Sequence, residues 1–325
     1  MSNKRPSILL LLCMALMVYS CHSGNKKQTQ SAEPAPLAPA PAFNADSAYA
    51  YVGQQVAFGP RIPNTTAHQK CADWMIQNMR AFADSTTVQT ASVSTQGNTY
   101  KCINIIGHFN PAAKERILLL AHWDTRAFAD ADENTKDQHF DGADDGASGV
   151  GVLLEAARQF HLKDPGIGVD ILLTDVEDMG VENDANSWGL GTQYWANQAK
   201  KTGYRAKYGI LLDMVGGQGA HFFRELVTRH YAGPQSQMVW DIANRIGYSD
   251  YFRYRNLGAI GITDDHEFVN RIAGIPTMDI IGLQGNGEFM PWHHRVNDNM
   301  KIIDKNTLKA VGQTVLQVVY ANPGY

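Results

Sequence analysis

Apolar positions recur at two spacings along this chain, and their alternation predicts an α/β domain. Cys71, Trp74, Met75, Met79 and Phe82 fall at helical spacing behind Thr65 or Thr66, either of which can cap a helix running to about residue 82. Residues 87–94 alternate as a half-buried strand does, and 102–108 read as a second strand that ends before Pro111. Residues 116–122 form a near-continuous apolar run, the pattern of a strand buried on both faces. A helix follows to about residue 161, with Val150, Leu153, Leu154 and Ala157 on one face. Residues 169–174, 208–212 and 276–281 are further buried strands. Residues 190–200, 234–246, 264–273 and a closing segment from 301 or 304 to 320 are helices, Pro234 standing at a favoured first position. Strands alternating with helices imply one α/β/α sandwich over residues 43–325, its central twisted sheet mixed and mostly parallel.

The residues before this domain read as an address and a spacer. Lys4 and Arg5 precede an apolar run over 8–18, followed by Tyr19, Ser20 and Cys21. That is a secretory signal over residues 1–21, and the run is short of the ~20 residues a spanning helix needs. Cys21 directly after Ser20 suggests a bacterial lipobox, with lipid on Cys21 anchoring an exported, periplasmic protein to a membrane; ordinary cleavage nearby is the alternative. Residues 22–42, mostly Ala, Pro, Ser, Gln and Lys, read as a flexible tether. Export favours an oxidising compartment. Cys71 and Cys102 are then free to pair, or, since both sit in apolar patterns, to remain buried thiols. The chain of 325 residues is 44% hydrophobic with a net charge of −4, so neither nucleic acid nor an acidic membrane surface is an expected partner.

Three predicted strands end in ligand-type residues: His122-Trp123-Asp124, Glu177-Asp178 and Asp213. In largely parallel sheets, ligands sit beyond those carboxyl ends. Asp141, Asp144 and Asp145 crowd the Gly-rich turn before the helix that starts near residue 147. Crowded carboxylates repel, and either a cation or the free N–H groups of a helix start would relieve them. The two readings are an N-cap cluster and a metal site with Asp145 as ligand. Asp145, Asp178 and a C-terminal His make the donor set of a catalytic zinc with an open fourth position. On an extended strand end Glu177 points away from Asp178 and is free for acid–base work. The alternative is a solvated acidic loop of Glu177, Asp178, Glu182 and Asp184.

Six segments carry a family resemblance: 121–125 (Ala-His-Trp-Asp-Thr), 142–149 (Gly-Ala-Asp-Asp-Gly-Ala-Ser-Gly), 175–178 (Asp-Val-Glu-Asp), 212–216 (Leu-Asp-Met-Val-Gly), Asp264-Asp265-His266, and His294 through Asp298-Asn299. In this order, over roughly residues 50–320, they resemble the zinc aminopeptidase clan, most closely its glutaminyl cyclase branch of bacterial type. The resemblance implies a zinc-exopeptidase-like fold and one Zn2+ per chain on Asp145, Asp178 and His294. It implies Glu177 as proton shuttle, with Asp213 and Asp264 in the hydrogen-bond network around it. The implied reaction cyclises the N-terminal glutamine of peptides or proteins to pyroglutamate, with Trp188, Phe289 and Trp292 walling the substrate pocket. Asp178 stands where many relatives have Glu, Asp279 where animal cyclases have His, and Arg295 where Thr is usual. His293 is the alternative ligand through the family's Trp-His-Thr pattern. A two-zinc aminopeptidase using His122 as well is the second reading, and a lipid-anchored binding protein without catalysis the third.

Overall fold

The structure, a computed structural model, describes residue 1 and residues 36–255 and 257–321. Met1 apart, the expected leader and the tether up to residue 35 lie outside the described residues. The compact unit begins at Leu37 rather than Phe43. Within the stretch read as tether, the carbonyls of Ala38 and Pro41 accept from Gln317 and Gln313, so residues 37–42 are tied to the closing helix. No helix of the described residues is long and apolar enough to cross a membrane.

The described residues form an eight-stranded sheet in the order β1-β2-β4-β3-β5-β8-β6-β7. Its centre is four parallel strands: β4 (Gly168–Thr174), β3 (Arg116–His122), β5 (Gly209–Asp213) and β8 (Thr277–Leu283). The hairpin of β1 (Ser85–Thr95) and β2 (Asn98–Phe109) extends one side in antiparallel pairing. The short β6 (His221–Phe223) and β7 (Phe252–Arg253) extend the other, β6 antiparallel to β8. The sheet is thus mixed and parallel where the site lies.

Successive residues of β3 serve opposite layers, because strand side chains alternate across the sheet. Ile117, Leu119 and Ala121 pack with α1 (Ala45–Ala57), α2 (Thr66–Phe82), α3 (Ala147–Leu162), α5 (Leu226–Arg245) and α7 (Lys305–Ala321). Leu118 and Leu120 pack with Trp195, Ala196 and Ala199 of α4 (Leu190–Thr202) and with Val269, just after α6 (Asp265–Phe268). Both faces of β3 are therefore covered, as its unbroken apolar run requires.

Two helix readings change. α5 begins at Leu226, where Glu225 accepts the N–H groups of Val227 and Thr228, and Pro234 lies inside it beyond a kink at Ala232 (φ −128°). Proline marks the restart after the kink, where its missing N–H costs no bond. α1, absent from the sequence reading, is capped by the Asn44 side chain, which accepts from Asp46 and Ser47 N–H at 3.0 and 3.1 Å. Cys71 and Cys102 are buried free thiols, not a disulfide, and burial pushes the Cys71 thiol up to about 12.

Candidate metal centre and acid–base site

Strand ends deliver the site. β3 stops at His122 and β5 at Asp213, while β4 runs into Asp175-Val176-Glu177-Asp178. Val176 there has φ 54°, Met214 after Asp213 has φ 47° and His294 has φ 53°. A β-branched residue in the left-handed region is uncommon, and such strain concentrates where a site over-determines the backbone. Two buried aspartates hold the acidic pairs. Asp124 accepts the N–H groups of Glu177 and Asp178 at 3.0 and 3.1 Å. Asp298 accepts those of Asp144 and Asp145 at 2.8 and 3.1 Å. These are charge-assisted bonds, among the stronger that a side chain makes.

The crowded turn is not a capping cluster. The N-cap of α3 is Gly146, which offers no side chain, and its φ of 92° with a would-be Cβ 2.5 Å from the Asp124 carbonyl oxygen admits only glycine. The three carboxylates have separate tasks. Asp141 accepts from the buried Arg61 through its backbone carbonyl, as Gly142 does. Asp144 accepts from Gly216 N–H and from the Trp292 indole, both at 2.8 Å. Asp145 faces the cleft. Trp292 is consequently no pocket wall: it is 6% exposed and anchors Asp144 from behind. Small residues follow because α3 lies directly on β5; a Cβ on Gly149 would stand 2.2 Å from the Leu212 carbonyl oxygen and 2.9 Å from the Ala121 Cβ. Gly149→Ala is expected to cost at least about 1–3 kcal/mol through overpacking, read as a lowered urea midpoint with unchanged slope.

His294 Nε2 lies 3.2 Å from Asp178 Oδ1 and 3.6 Å from Asp145 Oδ2. Donors on a tetrahedral zinc with bonds of about 2.0–2.1 Å stand roughly 3.3–3.5 Å apart, and both of these separations lie close to that spacing. Burial raises the Asp178 pKa, and the neighbouring Asp145 raises it further, a repulsion that a cation relieves. His293 comes within metal-binding reach together with Asp145 and His294, but it stacks on Phe289 at 4.2 Å and on His294 at 3.8 Å, and burial pushes its pKa down to about 3. His294 alone approaches both carboxylates. A second trio shares Asp145: His122 Nε2 lies 3.1 Å from Asp145 Oδ1 and 3.3 Å from Asp213 Oδ1. Burial opposes charge on His122, yet bonds to Asp124, Asp145 and Asp213 raise its pKa well above the usual value, and His122 in turn holds Asp145 low against burial.

Glu177, Asp213 and Asp264 line the same cleft of about 1010 Å³ as Asp145, Asp178 and His294. Burial pushes the Glu177 carboxyl well above the usual glutamate range, and Asp264 and Asp178 add to it against the opposing pull of His122. The expected network differs in detail: Asp213 pairs with His122, whereas Asp264 accepts from Asp265 N–H at 2.5 Å. Burial pushes Asp264 well up, with Asp213 and Asp265 adding to it, and burial followed by Asp264 pushes the fully buried Asp279 well up. Trp188 and Phe289 do line the cleft, Phe289 at its mouth and 40% exposed. The sequence singles out Asp124 at a strand end and Asp298 in the last motif segment but not their task of holding the acidic pairs, and it does not mark the Arg126–Asp130 pair beside Asp178 and His294.

Residues 104–319 match the model of peptidase family M28. Among solved structures, Bacteroides thetaiotaomicron glutaminyl cyclase bound to N-acetylhistamine is 46% identical, covers 87% of this chain and 99% of its own, and superposes with a TM-score of 0.84. A leucine aminopeptidase precursor from the same organism gives the same identity and coverage, with a TM-score of 0.83. Bovine glutaminyl-peptide cyclotransferase is 25% identical over 76% of this chain and 70% of its own length. The chain spans only 34% and 44% of the first two curated relatives it matches.

Proposed function

This chain belongs to peptidase family M28, and on that premise we propose that it is a glutaminyl-peptide cyclotransferase, closing N-terminal glutamine of peptides or proteins to pyroglutamate with release of ammonia. The observation that carries the reading is the approach of His294 to both Asp145 and Asp178 beside the Glu177 carboxyl in one cleft. Those three side chains would hold one zinc per chain, and a bound zinc supplies Lewis-acid polarisation of the side-chain amide carbonyl. Glu177 takes a proton from the substrate's α-amine. The amine nitrogen bonds to the amide carbon, the bond from that carbon to the side-chain nitrogen breaks, and Glu177 returns the proton to the departing ammonia. A carboxyl held above its usual range suits a group that must both accept and return a proton near neutrality. Because the attack is intramolecular, the chain's task is orientation and charge stabilisation. Asp213 and Asp264 shape the charge around Glu177, while Trp188 and Phe289 exclude competing water.

The trio of His122, Asp145 and Asp213 favours a second reading, an aminopeptidase with two zincs in which Glu177 activates water. Against it stands Asp264 before Asp265-His266, where the peptidases this chain resembles tend to have Ser. Chelation is expected to abolish ammonia release from Gln-terminal peptides, and one equivalent of zinc per chain to restore it. A requirement for two equivalents would favour the aminopeptidase. The same proposal includes export and a lipid anchor on Cys21 at the periplasmic side of a bacterial membrane. Cys21→Ser is expected to move the protein from the membrane to the soluble fraction; an unchanged distribution would remove the anchor from the account.

A further inference from the structure

The segment after β3 turns back over the metal donors, and Arg126 is its pivot. Its backbone N–H donates to Asp178 Oδ2 at 3.0 Å. Its Nη1 donates to the carbonyls of Asp178 and Gly180 at 3.1 and 3.2 Å and lies 3.4 Å from Asp178 Oδ1. Nε and Nη2 both donate to Asp130 Oδ2, at 2.8 and 2.5 Å. The other oxygen of Asp130 lies 3.6 Å from His294 Nδ1, and the neighbouring Ala131 N–H donates to the His294 carbonyl at 3.2 Å. The guanidinium also lies over the Trp188 ring at 5.0 Å, and Trp188 is near-parallel to His294, 12° between planes. One side chain thus reaches two of the three donors, Asp178 directly and His294 through Asp130.

We propose that Arg126 and Asp130 are positioning residues of the metal centre, Arg126 fixing the Asp178 carboxylate and Asp130 fixing the His294 ring so that Nε2 faces the ion. The inference rests on the metal reading of Asp145, Asp178 and His294. A carboxylate beside the outer ring nitrogen of a ligating histidine sets its tautomer and orientation. Arg126 has the geometry for the other half, since a guanidinium fork spans two acceptors at once. A structural salt bridge is the competing account. Asp130 is 47% exposed, and exposed pairs contribute little to folding. The two accounts therefore separate: a metal role moves zinc affinity, while a folding role moves the stability of the metal-free protein.

The test measures the zinc dissociation constant of the full chain by competition with a chromophoric chelator, alongside the thermal midpoint of the metal-free protein. Asp130→Asn is expected to weaken zinc about 10–100-fold, the range for loss of an outer-shell partner, with the metal-free midpoint unchanged. Arg126→Ala is expected to weaken it by at least as much, with partial recovery in Arg126→Lys. Asp130→Asn that binds zinc as the wild type does overturns the proposal even if Arg126→Ala fails to fold. Tighter binding by Arg126→Ala would mean that repulsion between guanidinium and dication outweighs positioning, and also overturns it. A wild-type chain that binds no zinc overturns both this proposal and the metal reading beneath it. Wild-type binding with indifferent variants removes the positioning role alone.

Discussion

Glu177→Gln is expected to lower kcat by about 10²–10⁴-fold, the usual worth of general acid–base catalysis, with the fold and zinc content retained. The substitution is nearly isosteric, and the backbone N–H of residue 177 still donates to Asp124. What is lost is the ability to take a proton from the amine and return it to the leaving ammonia. Glu177 must be ionised to act as base, and burial with Asp264 and Asp178 nearby raises its pKa. The sign follows: kcat/KM falls as pH drops through that raised value, so the acid limb lies above the ordinary glutamate range. In Glu177→Gln that limb is expected to disappear. A variant with wild-type turnover would show that Glu177 transfers no proton, whereas a wild-type chain with no turnover would revive one that only binds.

The second large effect concerns the histidines. His294→Ala is expected to strip zinc from the protein and turnover with it, because Nε2 of His294 is the nitrogen that approaches both Asp178 and Asp145. The loss should exceed the ~10–100-fold typical of an outer-shell partner. His293→Ala is expected to retain its zinc, since His293 packs on Phe289 and His294. His122→Gln is expected to keep one zinc per chain as well. Metal analysis of the three purified variants separates the accounts: zinc lost from His293→Ala exchanges the ligand assignment, and two zincs in the wild type falling to one in His122→Gln gives the aminopeptidase.

Much of the fold was legible because burial writes itself into spacing. Residues 116–122 were read with the bounds that β3 (Arg116–His122) has, since a strand covered on both faces leaves an unbroken apolar run. The strand-end acids were legible from the same logic, parallel strands pointing Glu177, Asp178 and Asp213 at one cleft. What escaped depends on contacts distant in sequence. Asp298 holds the N–H of Asp144 from 154 residues away, and its place in the last motif segment does not reveal that task. The resemblance implies Trp292 as a pocket wall; only the bond from its indole to Asp144 shows it turned inward. The three carboxylates of the turn likewise looked alike until their partners separated them. α1 lies across α3, and its need for that cover was invisible before the layers were assembled.

The most direct measurement is the mass of the product from a purified chain and a Gln-terminal peptide. The account predicts a peptide that keeps every residue and has lost one ammonia, formed only with zinc present. A peptide shortened by its first residue, with free glutamine in solution, would contradict it.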